Sequence, residues 1–437
     1  MRVRTSALLV ILAACSDPDT VDLGSRYQLV SSVPPLANPK LDVLFVVDDS
    51  GSIQPEAAQV AAKAQAALFD VIGASLTAEP DLRVGVITSS MTIASDVDGC
   101  GGGDHFDGRL LLGHLPECPA ATERWLSDAP GELGEGRVRN FDGPLADALA
   151  CRLPQGSFGC GFEQPFAAVV RALSGTVTEN VGFLRDDALL VVIFLTDEDD
   201  CSATDPVLYA YEGAPPELGP PTSYRCFRGM VACDESLDTP GVKNNCHPAT
   251  LSPYALSIDT VADALRAAKG GVDGMVFVST IAGAEGPVSV TTDAEDNLLL
   301  AESCTSSAEP GAGAAPPLRM LELARRFPGR SWSDTLCDAD LTPTLRRTGD
   351  SVGDIAGRRG CLRGPLFDID ATTDGLQVNC HVFASTTVTR DGGAAFEVEA
   401  RIVADPATCD TEHGLRVEIP RGEELAGLHL VTECQTR

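Results

Sequence analysis

Basic residues are scarce in this chain of 437, with 32 Lys and Arg against 63 Asp and Glu, so the net charge is −31. Long-range repulsion then opposes both nucleic acid and an anionic membrane surface as partners. No apolar run is long enough to cross a bilayer as a helix. No C-x-x-C pair occurs, and the six histidines contain no H-x-x-x-H, which argues against a structural zinc site. Nor is there a G-x-S-x-G, an H-E-x-x-H or a G-x-x-x-x-G-K to mark a nucleophile, a zinc protease or a phosphate loop. Disorder is excluded too, because an apolar fraction of 44% is enough for a sizeable core.

The N-terminus carries Arg2 and Arg4, then a short apolar run over residues 7–14 that ends in Leu12-Ala13-Ala14-Cys15. This resembles a bacterial lipobox, in which a signal peptide is cleaved before a cysteine that receives a lipid. The resemblance implies residues 1–14 as signal, Cys15 as the lipidated residue, and a membrane attachment through that lipid only. Ser16 in the following position is not the aspartate of an inner-membrane retention signal, so the expectation is an exported outer-membrane lipoprotein. Of the 15 cysteines, setting Cys15 aside leaves an even fourteen. In an exported chain that reads as up to seven disulfides. Residues 15–40, with Pro18, Pro34, Pro35 and Pro39, read as a tether.

From residue 41 the chain alternates β-like and helical stretches. Apolar strands are expected at 41–47, 82–89, 188–195, 275–281 and 330–336, and helices at 56–75, 145–153, 164–173, 254–269, 317–327 and 342–358. The run A-L-L-V-V-I-F-L at 188–195 suits burial on both faces in mid-sheet. The fold class expected is α/β, a doubly wound, mostly parallel, Rossmann-like sheet over residues 41–360. Disulfide-stapled insertions interrupt it at about 96–136 and 201–252. Residues 361–437, where apolar and charged residues alternate around Asp391-Gly392-Gly393, read as a small antiparallel β appendage stapled by Cys361, Cys380, Cys409 and Cys434.

The first strand ends abruptly in Asp48, Ser50 and Ser52, spaced D-x-S-x-S, which offers a carboxylate and two hydroxyls to a hard cation. The strand at 188–195 ends in Thr196-Asp197-Glu198-Asp199-Asp200. In doubly wound sheets ligands sit beyond the carboxyl ends of strands where the strand order reverses. If these two strands are neighbours there, Asp48 and Asp197 converge.

Both motifs together, D-x-S-x-S after one apolar strand and Leu195-Thr196-Asp197 after another, resemble a von Willebrand factor type A domain with its metal-ion-dependent adhesion site. The resemblance covers about three quarters of the chain and leaves out the insertions and the appendage. It implies a binding module and not an enzyme. Asp48, Ser50, Ser52 and Asp197 would hold Mg²⁺ or Ca²⁺, and an acidic residue of a protein partner would fill the open position. A threonine of the second loop normally completes the set, but this sequence has Glu163 at the expected place, with Ser157 the nearest hydroxyl. Either Glu163 supplies a third carboxylate, or it turns to solvent and Ser157 or water replaces it. A third carboxylate would hold the ion more tightly, favour Ca²⁺ and make the ion a weaker attractor of an acidic partner.

Three weaker signals remain. Asp96, Asp98, Gly101, Asp104 and Asp107 imitate an EF-hand loop, but Cys100 stands at a ligand position and no helices flank it. Glu198, Asp199 and Asp200 could add outer ligands or ligands to a second metal, but they read first as a solvated acidic turn. His105, His114, His247, His381, His413 and His429 read as isolated surface or packing residues. The resulting expectation is cation-dependent protein–protein adhesion or assembly at the cell envelope. A structural lipoprotein with a closed or vacant site is the alternative. A metal-dependent hydrolase ranks last, because no general base can be named beyond the metal ligands.

Overall fold

The computed structural model describes residues 27–33, 37–93, 97, 99–112, 118, 120–131, 136–153, 159–307, 312–357, 360–370, 372–406, 409, 413–419 and 428–436. Cys15, Ser157, Asp96, Asp98 and His114 lie outside them.

The strands that build the two sheets are Tyr27–Val33 (β1), Lys40–Val47 (β2), Asp81–Thr88 (β3), Leu126–Pro130 (β4), Arg137–Arg139 (β5), Leu189–Leu195 (β6), Val276–Ala282 (β7), Ser331–Thr335 (β8), Cys380–Ser385 (β9), Ala395–Glu397 (β10) and His429–Gln435 (β11). The helices are Gln54–Ala64 (α1), Asp70–Ser75 (α2), Leu145–Ala150 (α3), Pro165–Leu173 (α4), Tyr224–Met230 (α5), Ile258–Ala267 (α6), Leu318–Arg325 (α7) and Thr342–Gly357 (α8). A π-helical turn, Gln65–Phe69, joins α1 to α2, so the helix expected at 56–75 is one continuous run with a widened middle.

Seven strands form one mixed sheet in the order β8-β7-β6-β2-β3-β4-β5. The five strands from β8 to β3 are parallel, and β4 and β5 add to the edge antiparallel. β4 comes from the stretch expected as an insertion and β5 begins just past its end, so part of that insertion extends the sheet.

The apolar runs are buried on both sides because helices cover both faces. Along β6, Leu189, Val191, Ile193 and Leu195 pack with α1, α3 and α8, while Leu190, Val192 and Phe194 pack with α4, α6 and α7. In β2 the same alternation sends Val43, Phe45 and Val47 to the first layer and Leu44 and Val46 to the second. Helix α8 lies close against α2; a Cβ on Gly353 would sit 2.3 Å from Ser75 Oγ, so only glycine permits that approach.

The chain leaves β2 for β3 on one side and later returns to place β6 on the other. The strand order therefore reverses between β2 and β6, and the crevice beyond their carboxyl ends is the natural place for a ligand.

A second, four-stranded sheet runs β1-β11-β9-β10, all antiparallel. Within the stretch expected as a tether, Tyr27–Val33 is therefore an ordered strand, paired with one some 400 residues later. All fourteen cysteines from Cys100 onward are paired: Cys100–Cys160, Cys118–Cys151, Cys201–Cys226, Cys233–Cys246, Cys304–Cys337, Cys361–Cys409 and Cys380–Cys434. The last two staple the C-terminal unit as expected. Seven disulfides point to an oxidising, extracytoplasmic compartment. No helix among the described residues is long and apolar enough to cross a membrane.

Candidate functional site

Because β2 and β6 pair in register, with Val47 opposite Leu195, the residues that follow them start side by side. The Asp48 amide donates to Leu195 O at 2.9 Å, and Thr196 Oγ1 donates to Asp48 Oδ2 at 2.9 Å. Asp48 Oδ1 accepts the Ser50 amide at 2.7 Å, which folds the D-x-S-x-S loop back over its own carboxylate. Ser50 Oγ and Ser52 Oγ are 3.0 Å apart. Asp48 is buried, Ser50 half-buried and Ser52 exposed, so the hydroxyls form the outer rim of the site.

Asp197 is buried beside Asp48 and Ser52, and its Oδ1 has no hydrogen-bond partner among the described residues. Burial and then the Asp48 charge push its pKa up to about 8, with the Ser52 hydroxyl partly offsetting them. Burial and the Asp48 charge likewise push Glu198 up to about 8.

Glu163 points inward. It is 1% exposed, accepts a hydrogen bond from Ser89 Oγ at Oε2, and has no partner at Oε1 among the described residues. Burial first, then the charges of Asp48, Asp49 and Glu198, raise its pKa well above the carboxylate range. Its position is held by backbone bonds on both sides: the Cys201 amide donates to Glu163 O at 2.8 Å, and the Gln164 amide to Ser89 O at 3.0 Å.

Asp49 was not singled out by the sequence reading, yet it completes the inner wall. Its Oδ1 accepts Ser90 Oγ at 2.7 Å, and its Oδ2 lies 3.9 Å from His105 Nε2 with no hydrogen bond. Burial, with a further push from Asp48 against the Ser90 hydrogen bond, raises its pKa to about 7. Ligand oxygens of Asp48, Asp49 and Glu163 all lie within 4.8 Å of one another, a spacing that one metal ion can bridge. Buried carboxylate oxygens with no donor are satisfied either by a proton or by a cation, and this spacing suits a cation. The doubled Asp48-Asp49 at a strand end and the Ser89-Ser90 pair after β3 were visible signals; the lone His105 in a glycine-rich loop was not.

The last two acids of the second loop are structural, and the reading of a solvated turn is corrected for Asp199 and Asp200, while Glu198 is half-buried. Asp199 accepts the amides of Arg319 at 3.0 Å and Met320 at 3.2 Å, tying down the first turn of α7. Asp200 is buried; Oδ1 accepts the Phe166 amide at 3.0 Å in the first turn of α4, and Oδ2 accepts Arg319 Nε at 3.0 Å. In the EF-hand-like stretch, Cys100 is in a disulfide, Asp107 accepts Thr92 at its amide and hydroxyl, and Asp104 pairs with Arg124. The two described aspartates there are thus already engaged.

No family model matches the chain, and no curated protein matches it. Among solved structures, an adhesive tip pilin from Group B Streptococcus agalactiae aligns at 10% identity and a TM-score of 0.29, covering 94% of this chain and 82% of the other. A pilus adhesin from Lactobacillus rhamnosus GG aligns at 10% identity and 0.30, over 93% of this chain and 40% of the adhesin. A von Willebrand factor type A protein from Catenulispora acidiphila aligns at 11% identity and 0.28, over 95% and 67%. TM-scores of this size leave fold and function to be argued from the chain itself. What the chain itself defines is a disulfide-rich α/β protein with a buried acidic cluster at the switch point of its main sheet.

Proposed function

We propose that this protein is an exported, lipid-anchored binding module that holds a divalent cation, Mg²⁺ or Ca²⁺, at the ends of β2 and β6. Asp48, Ser50, Ser52 and Asp197 would hold the ion, as in the von Willebrand type A domains it resembles, and an acidic side chain of a protein partner would complete the coordination. Residues 1–14 would be the signal, Cys15 the anchor, 41–360 the binding domain and 361–437 an appendage that β1 joins. The role would be adhesion or assembly at the cell envelope, without catalysis.

The observation that carries this reading is the meeting of Asp48 and Asp197, from neighbouring parallel strands, under a rim of solvent-facing hydroxyls. Two buried carboxylates side by side, one of them with an unpartnered oxygen, favour a cation, and an exposed rim lets a partner reach it. The buried Glu163 favours a second reading, in which a third carboxylate closes the site and the ion only braces the loops.

Calorimetric titration of Mg²⁺ and Ca²⁺ into chelator-stripped protein tests the site. Binding that is lost in Asp48→Ala and Asp197→Ala supports it; no binding, or binding indifferent to both, overturns it. Capture of envelope proteins with and without EDTA then separates adhesion from bracing, since only adhesion loses its partner when the ion is removed.

A further inference from the structure

The long excursion after β6 returns to the sheet at residues 254–257 and leaves a cavity of about 310 Å³ against α6 and α7. That volume lies at the lower end of the range for sites that take a small molecule or one side chain of a partner. The return is pinned, with the Leu256 amide donating to Ser202 O at 2.8 Å and the Thr204 amide to Tyr254 O at 2.7 Å. Pro248, Ala255 and Ile258 give the cavity apolar walls, and Arg319 and Arg326 reach it from the side of α7. None of Asp48, Asp49, Glu163 and Asp197 lines it.

The polar groups at this cavity divide by whether they are already engaged. Its two acids are: Asp259 accepts Arg326 Nε at 2.7 Å, and Glu322 accepts Arg326 Nη1 at 2.8 Å. So are two hydroxyls, with Ser252 Oγ donating to Gly229 O and Ser257 Oγ accepting the Thr260 amide. The donors are not all used. Arg319 is 2% exposed; its Nε goes to Asp200 at 3.0 Å and its Nη2 to Leu256 O at 2.6 Å, while Nη1 has no acceptor among the described residues. The first turn of the ten-residue helix α6 also lines the cavity. Ser257 caps only the Thr260 amide there, so the amides of Ile258 and Asp259 have no acceptor among the described residues.

An open guanidinium nitrogen on a buried arginine and two open amides at the positive end of a helix suit an anion with two acceptor oxygens. Asp259 and Glu322 in the wall oppose a second negative charge, which selects a carboxylate over a phosphate dianion. The apolar walls favour a carboxylate carried on a short hydrocarbon stem.

We propose that this cavity recognises such a carboxylate, from the C-terminus or an acidic side chain of a polypeptide, through Arg319 Nη1 and the first-turn amides of α6. The proposal goes beyond the cation reading and stands without it. Asp200, which holds Arg319, follows Asp197 by three residues, so the two sites share one loop. The donors are fixed by the Asp200 and Leu256 bonds before any ligand arrives.

Calorimetry and ligand-observed nuclear magnetic resonance on the full chain in EDTA test this, with N-acetyl-leucine and N-acetyl-leucinamide as probes. The acid is expected to bind, and the amide to bind at least tenfold more weakly. Two peptides separate the sources: acetyl-Gly-Gly-Leu with a free C-terminus, and acetyl-Gly-Glu-Gly amide with an internal acid. Binding of either supports the site and identifies its source. Arg319→Lys keeps a charge beside Asp200 and removes Nη1; Thr250→Trp fills the mouth from an exposed position. Each should weaken the acid at least tenfold, and a circular-dichroism melt verifies that Thr250→Trp folds. Asp48→Ala should leave the affinity unchanged, so failure of the cation site is told apart from failure of this one. Equal binding of acid and amide, binding of none of the four probes, or affinity indifferent to both substitutions overturns the proposal.

Discussion

Thr196 donates its hydroxyl to Asp48 across 2.9 Å, joining the first residues beyond two adjacent parallel strands. The bond orients the Asp48 carboxylate at the centre of the acidic cluster. Thr196→Val keeps the shape and removes the donor to a charged acceptor, a loss of about 1.5–3 kcal/mol. The expected outcome is a lower melting temperature in EDTA that excess divalent cation largely restores, because an ion can satisfy the freed oxygen. A melt that is unchanged in EDTA would rule out this role for Thr196.

The pH dependence of the metal-free protein follows from the raised carboxylates. Asp49 is pushed to about 7, and Asp197 and Glu198 to about 8, from ordinary values near 4. Between those limits the folded chain binds more protons than the unfolded one, so stability falls as pH rises. Their contribution is fully present below about pH 4 and is lost as pH climbs through 7 to 8. Urea unfolding in EDTA should therefore show decreasing stability from pH 5 to pH 8.5. Saturating divalent cation should flatten or reverse that slope, since the ion replaces the protons; the same slope with and without cation would refute the assignment.

Arg319 and Asp200 form a buried pair, with Arg319 also stacked over Phe166 and donating to Leu256 O at 2.6 Å. Arg319→Met leaves Asp200 buried without its counter-charge. A loss of about 3–5 kcal/mol is expected in urea unfolding. Arg319→Met with Asp200→Asn should recover part of it, because no bare charge then remains. Additive losses in the double variant would mean the two do not act as a pair.

Gly159 passes directly over Asp49, and its amide donates to Asp49 O at 3.2 Å. A Cβ there would stand 2.2 Å from Asp49 Oδ1 and 2.9 Å from Asp49 O. Gly159→Ala must displace either the loop or Asp49. Cation affinity is expected to fall at least tenfold in calorimetry while far-ultraviolet circular dichroism stays that of the wild type. Unchanged affinity would show that the inner wall tolerates the shift.

The sequence by itself determined the two acid-bearing strand ends. Continuous apolar, β-branched runs at 41–47 and 188–195 can be satisfied only in mid-sheet, and the residues that stop them, Asp48 and Thr196-Asp197, must then emerge at its edge. The even count of fourteen cysteines likewise announced full pairing, though not the partners, which depend on which loops meet in space. Tertiary structure alone decided the direction of Glu163, since a single side chain at the start of a helix has no periodic signal; its carboxylate is held by the Ser89 hydroxyl and its backbone by the Cys201 amide. It also decided that β1 joins β11 from the far end of the chain, and that Asp199 and Asp200 hold helices and not solvent. Asp49 and His105 meet only because a disulfide 60 residues in span folds a glycine-rich loop onto β2, a contact no local pattern encodes.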